Sequence, residues 1–231
     1  MDEDLRQVIR LMAVVEDNAI VQAYVGMAGG GLANEKFSRF VPQWVDDERR
    51  HAQTLLLISN QSDAPLAPSK SNKYAPLLAR TIHTLSDTAF LASYCIAGAL
   101  AERSVIEAYR LLQDKLGPGA ASDALDEVIR DEGRHLAFYE DLSKDLRRTR
   151  IGRAVSNVYA KHFWYPLGRS TLGYEGWVKI VRLLADSDDG VRRLLRVDAY
   201  ARDRLGVAGF AGWSNAMRQI GLAQGRPNVS A

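Results

Sequence analysis

Cysteine is almost absent. Cys95 is the single one in 231 residues, which excludes an internal disulfide, a zinc ribbon and a dithiol redox motif, and fits a reducing compartment. Sustained alternation of apolar and polar residues is missing as well, so nothing in the chain reads as a strand. The acidic opening MDEDLRQ has neither the basic nor the apolar segment of a secretory leader, and the apolar-leaning uncharged run from Thr88 to Ala101 is too short to span a bilayer. The expectation is a cytoplasmic protein with no membrane or DNA partner. Proline does not occur from Leu77 to Leu116, which leaves that stretch free to run as helix. Histidine is scarce too, with four in the chain.

What is present is the composition of an ordinary globular protein, 47% hydrophobic and 25% charged. The length suits a single domain over 1–231 with one large core. The formal net charge of +2 hides an asymmetry: residues 1–144 sum to −6 and residues 145–231 to +8. A basic C-terminal third suits an acidic partner such as a carrier protein, or RNA, and is also what solvated helix faces produce.

Apolar residues recur at spacings of three and four almost throughout, so the chain is expected to be all-α. Residues 4–25 form a first helix with Leu5, Ile9, Met12, Ala19, Ile20 and Ala23 as its core stripe, ended by the glycines of GMAGGG at 26–31. A second helix runs from about Ser38 to Ser59, with Pro42 in its first turn. The Pro-, Ser- and Asn-rich stretch 61–74 is a long loop. A long, kinked or tandem helix follows from Leu77 to Leu116, GPGAAS at 117–122 breaks it, and a fourth long helix covers about 123–147. Shorter helices are expected around 151–164, 174–185, 188–205 and 212–223.

Two short stretches interrupt the apolar pattern in the same way: DERRH at 47–51 and DEGRH at 131–135. Residues three apart share a helix face, so Glu48 with His51, and Glu132 with His135, can each aim two side chains at one point. Glu16 in LMAVVEDNAI and Glu102 in CIAGALAERSVIEAY are single carboxylates inside apolar runs, where an unpaired charge is strongly unfavourable unless a cation or a partner offsets it. In an antiparallel hairpin, residues at one height are equidistant from the turn. The midpoint of 16 and 48 is residue 32, beside the glycine-rich break, and that of 102 and 132 is Gly117. The stretch 61–74 then becomes the crossover of a four-helix bundle with one long connection. Four carboxylates and two imidazoles form an oxygen-rich set that suits iron or manganese rather than structural zinc, and their charge balances two divalent metals.

The ordered pattern Glu, Glu-x-x-His, Glu, Glu-x-x-His resembles the ferritin-like di-iron carboxylate superfamily over residues 5–147, and in motif is most similar to soluble acyl-carrier-protein desaturases and related oxygenases. The resemblance implies a ferritin-like four-helix bundle over about 4–147, with about 150–225 as a C-terminal helical extension packed on it. It also implies Glu48 and Glu132 bridging two irons, with Glu16 and Glu102 on either side. Asp47 and Asp131 are placed to accept the free ring N–H of the opposite hairpin's histidine. Arg50 and Arg134 read as salt-bridge partners. Cys95, Gly98, Ala99 and Tyr139 are candidates to line a dioxygen and substrate pocket, with close packing as the alternative. His83 and His162 read as helix-face and packing residues. Val105 and Ile106 stand where the desaturases tend to carry a threonine, which leaves the reaction outcome open.

The implied activity is that of an O2-activating non-haem di-iron oxidoreductase, a desaturase, hydroxylase or other monooxygenase, with two Fe ions or a Mn/Fe pair and O2 as co-substrate. Its substrate would be a small or carrier-tethered organic molecule, its electron donor ferredoxin-like, and its assembly a homodimer. The alternative is a ferroxidase or iron-handling protein, for which metal is the cargo. A metal-free helical interaction protein would leave four buried glutamates without a cause.

Overall fold

The structure, a computed structural model, describes residues 1–60, 88–166 and 168–222. Among them there are helices and no strands: α1 (Glu3–Asp17), α2 (Ala19–Ala28), a 3-10 turn (Gly31–Ala33), α3 (Glu35–Ile58), α4 (Ala89–Leu116), α5 (Ala120–Leu146), α6 (Arg150–His162), α7 (Arg169–Leu184), α8 (Asp188–Asp203) and α9 (Gly212–Gln219). The expected loop at 61–74, the first part of the helix expected from Leu77, and His83 lie outside the described residues.

Local chemistry explains most of the boundaries. The Asp2 carboxylate accepts from the Leu5 N–H to start α1, and Asn34 does the same for Phe37 at the start of α3. That cap moves the α3 start upstream of Ser38, so Pro42 lies inside the helix rather than in its first turn; its ring is exposed, where solvent can take up the lost hydrogen bond. The single helix expected over 4–25 is interrupted at Asn18, whose buried side chain donates to Thr171 Oγ1 at 3.1 Å. An amide that bonds elsewhere competes with the helical backbone. Past this break the inward face changes: Ala19 and Ala23 stay buried, but Ile20 is 39% exposed and leaves the expected core stripe. Gly117, at φ +71, ends α4 in a conformation glycine adopts without a Cβ clash, and α5 returns antiparallel from there.

The hairpin of α1 and α3 and the hairpin of α4 and α5 pack together, with α3 lying against α5. Their shared interior holds Ile9, Met12, Leu55, Ile96, Leu100 and Leu112, each at most 2% exposed. By length and composition α4 is apolar enough to cross a membrane, but 67% of its most apolar window is buried, because α5, α6 and α8 pack on it. It is the central strut of a helical bundle, and its 28 residues exceed the run Thr88–Ala101 that the sequence marks out.

The C-terminal helices cover the outside. α6 and α8 pack on α4, α7 on α1, and α9 on α8. The Trp213 indole N–H reaches the Ser104 hydroxyl of α4 at 3.1 Å. α9 begins without a capping side chain at Ala211; Asp198 of α8, 1% exposed, accepts instead from the Trp213 and Ser214 N–H groups, both at 2.9 Å. Asp198→Ala would orphan these donors in a dry contact, and we expect a loss of about 2 kcal/mol in urea unfolding.

Candidate metal centre

Six side chains from four helices meet in the bundle interior. Glu16 comes from the last turn of α1, Glu48 and His51 from α3, Glu102 from α4, and Glu132 and His135 from α5, all between 0% and 6% exposed. They form two groups, Glu16, Glu48, His51 and Glu132, and Glu48, Glu102, Glu132 and His135; within each, one ligand-type atom per residue lies within 4.8 Å of the others. Each group has a private glutamate and a private histidine. Glu48 and Glu132 belong to both.

The central carboxylates are oriented accordingly. Glu132 turns Oε1 toward His51 Nδ1 at 3.1 Å and Oε2 toward His135 Nδ1 at 3.2 Å. Glu48 places Oε1 3.3 Å from His135 Nδ1 and Oε2 3.9 Å from His51 Nδ1. The outer ring nitrogens face away from the cluster: His51 Nε2 lies 3.4 Å from Asp131 and His135 Nε2 3.1 Å from Asp47. Each aspartate thus holds the histidine of the other hairpin through Nε2–H and turns Nδ1 inward, where it would offer a lone pair to a cation on losing its proton. Arg50 donates to Asp47 and lies 3.3 Å from Asp131, while Arg134 lies 2.6 Å from Asp131. Gln43 donates to Asp47 at 2.7 Å. Both arginines are more than half exposed, so this rim links the buried cluster to solvent.

The charge balance is unfavourable for the chain by itself. Burial, followed by the charge of neighbouring carboxylates, pushes Glu16 and Glu102 well above the usual carboxylate range, and the same causes bring Glu48 to about 7. Burial works against ionised Glu132 too, but the hydrogen bond from His135 and the positive charge of both rings outweigh it and hold Glu132 at about 2. Burial likewise disfavours charged His135, yet Glu132 and Glu48 raise it to about 12. The interior stores protons where charge would otherwise be uncompensated. Even so, His51 Nδ1 and Glu132 Oε1 are buried without a hydrogen-bond partner.

The chain matches no family model, no curated protein and no solved structure. The chemistry of the site therefore rests on its own residues. A donor set of carboxylate oxygens and two imidazole nitrogens fits hard or borderline divalent cations.

The expected pocket residues are packed. Cys95 and Ala99 are fully buried, Tyr139 is 1% exposed, and a Cβ at Gly98 would lie 2.8 Å from the Tyr139 ring. The ring of Tyr139 takes the space a side chain at 98 would need. His162 is exposed at the end of α6.

Other contributors are not singled out by the motif. Tyr109 donates its hydroxyl to Glu16 Oε1 across the bundle. It lies seven residues after Glu102, hence on the same helix face, and that spacing is the signal that points to it. Phe40 and Phe138 stack at 3.7 Å, and Phe40 meets the His135 ring edge-on at 5.9 Å. Outside this pair lies a surface cleft of about 620 Å3 between α3 and α5.

The raised carboxylates have a measurable consequence. The folded-state pKa of Glu48, about 7, lies above its unfolded value of about 4.5, so the folded chain holds more protons and rising pH removes stability through that window. Raised His135 acts in the same direction at higher pH, and lowered Glu132 contributes only below the window. Raised Glu16 and Glu102 act in the same direction, so the chelator-treated chain is expected to lose at least about 3 kcal/mol between pH 4.5 and 7 in urea titrations, and added Mn2+ to abolish the loss.

Proposed function

We propose that this chain is a ferritin-like, O2-activating non-haem di-iron oxidoreductase acting on a small or carrier-tethered organic substrate. One observation carries the reading: two four-residue groups that share Glu48 and Glu132, each completed by its own glutamate and its own inward-facing imidazole. The buried His51 Nδ1 and Glu132 Oε1, 3.1 Å apart without a hydrogen bond, fit the same reading, because a cation held by both would satisfy them. Glu16 and His51 would hold one metal, Glu102 and His135 the other, and Glu48 and Glu132 both. Four carboxylates neutralise two divalent ions, which removes the charge excess that the chain alone meets by protonation.

When bound, a pair of irons supplies the electrons and the Lewis acidity that dioxygen reduction requires. The protein's part is geometric and electrostatic. Asp47 and Asp131 hold the two imidazoles in the orientation that presents Nδ1 inward. Tyr109 fixes the orientation of the Glu16 carboxylate by donating to it. Phe40 covers the His135 ring edge-on, and Trp44 and Tyr139 pack around Phe40 in an aromatic cluster that keeps water from that side. Glu16, Glu48, Glu102 and His135, all raised in the chain by itself, would give up their protons as cations enter, which makes metal uptake rise with pH.

Elemental analysis of protein made in iron-replete cells is expected to give about two irons per chain, and the anaerobically reduced protein to consume O2. Glu102→Ala and His135→Ala are expected to remove at least about half of the metal and to abolish O2 consumption while the helical circular dichroism persists. Full metal and activity in either variant would refute the ligand assignment. Iron accumulating far beyond about two per chain would favour the ferroxidase and storage alternative.

A further inference from the structure

The largest concentration of exposed apolar side chains lies far in sequence from the acidic cluster, on α6 and the residues after it. Ile151 (64%), Val155 (40%), Val158 (52%), Tyr159 (37%), Phe163 (64%) and Tyr165 (45%) all face solvent within fifteen positions. Helical geometry explains the arrangement. α6 packs on α4 and buries Gly152, Ser156 and Ala160, a stripe of small residues at spacing four; at Gly152 a Cβ would lie 2.6 Å from the Leu146 carbonyl oxygen. Its large residues 151, 155, 158 and 159 fall on a different arc, and Arg150, Arg153 and Lys161 on a third. An ordinary surface helix buries its large apolar residues; α6 buries its small ones.

The charge around this arc has one sign. From Leu146 to Tyr174 the chain contains no Asp or Glu and six Lys or Arg. Arg148 is paired with Asp145 at 3.1 Å, while no ion pair is recorded for Arg150 or Lys161 among the described residues. A cavity of about 330 Å3 at the C-terminal end of the arc is lined by Lys161, Trp164, Tyr165, Asn215, Arg218 and Gln219. Arg169 borders it, donating to Gln219 at 2.7 Å with its guanidinium 4.2 Å from the Tyr165 ring centroid.

We infer that the exposed arc of α6 and this adjoining cationic cavity form a docking surface for an anionic lipid bilayer, with the apolar residues at the acyl boundary and the cavity receiving a phosphate headgroup. A helix with aliphatic and aromatic residues on one arc and Arg and Lys on the next has the pattern of an interfacial amphipathic helix. Charge complementarity selects this occupant. A second copy would set one uncompensated basic arc against another. A protein partner anchors its rings in pockets, whereas these project from a convex helix. Peripheral attachment needs no spanning segment, but it departs from the expectation that the chain has no membrane partner. The inference stands on α6 and the adjoining cavity and is independent of the metal centre.

The test is co-sedimentation of the full chain with vesicles, with light scattering to read its assembly state. We expect binding to phosphatidylcholine vesicles containing about 30 mol% phosphatidylglycerol, at least about tenfold weaker binding to pure phosphatidylcholine, and release at high salt. Arg150→Glu with Lys161→Glu, and separately Val158→Ser with Phe163→Ser, should each weaken binding at least about tenfold while leaving circular dichroism and Tm unchanged. No sedimentation with anionic vesicles at low salt, or equal sedimentation of both variants and the parent chain, would overturn the inference. So would a dimer that Val158→Ser with Phe163→Ser converts to a monomer without vesicle binding, which assigns the arc to a second copy. Binding to poly-glutamate but not to vesicles would assign it to an acidic protein.

Discussion

Four carboxylates lie in the bundle interior around two imidazoles, and even with both rings protonated the interior carries excess negative charge. Burying such an excess costs far more than any single apolar contact returns. Protonation relieves it in the chain by itself, which is why Glu16, Glu48 and Glu102 are all raised. Two divalent cations would relieve it more completely. Much of the remaining architecture serves to hold these groups at one height: two antiparallel hairpins, turned at the glycine-rich stretch near residue 31 and at Gly117, bring positions separated by up to 119 residues within one hydrogen-bond network.

The network is ordered from inside to outside. Carboxylates meet Nδ1 at the centre; Nε2 meets Asp47 and Asp131 farther out; Arg50 and Arg134 meet those aspartates at the surface. Because each aspartate holds the other hairpin's histidine, the α3–α5 contact and the ring orientations are set by the same bonds. A shift of one helix by a turn would break both and leave buried charge unpaired. That coupling gives the polar core a specificity that leucines alone would not supply.

The C-terminal helices divide their work. α7, α8 and α9 bury Trp177, Leu194 and Trp213 completely and extend the core around α1 and α4. α6 instead packs on α4, buries its glycine, serine and alanine, and turns its valines and aromatics outward. Basic residues of α8 are paired, Arg193 with Asp114 and Asp189, whereas Arg150 and Lys161 of α6 form no ion pair among the described residues.

Periodicity and two repeated five-residue stretches were enough, in the sequence alone, to determine that the chain is helical and which six side chains converge, since a three-residue spacing on a helix and equal distance from a turn are local rules. The helix end at Gly117 was legible too, whereas the start at Asn34 lies upstream of the expected Ser38 because a cap there is local chemistry that apolar periodicity does not mark. Tertiary structure decided the rest, because those contacts join residues remote in sequence. The break at Asn18 depends on Thr171, the closing of the space at Gly98 on the Tyr139 ring, the orientation of Glu16 on Tyr109, and the start of α9 on Asp198. The apolar arc of α6 is legible as an amphipathic pattern, but a pattern does not say which arc faces the core. The fold settles it by burying the arc of Gly152, Ser156 and Ala160, where at Gly152 a Cβ would strike the Leu146 carbonyl, and the large residues stay outside.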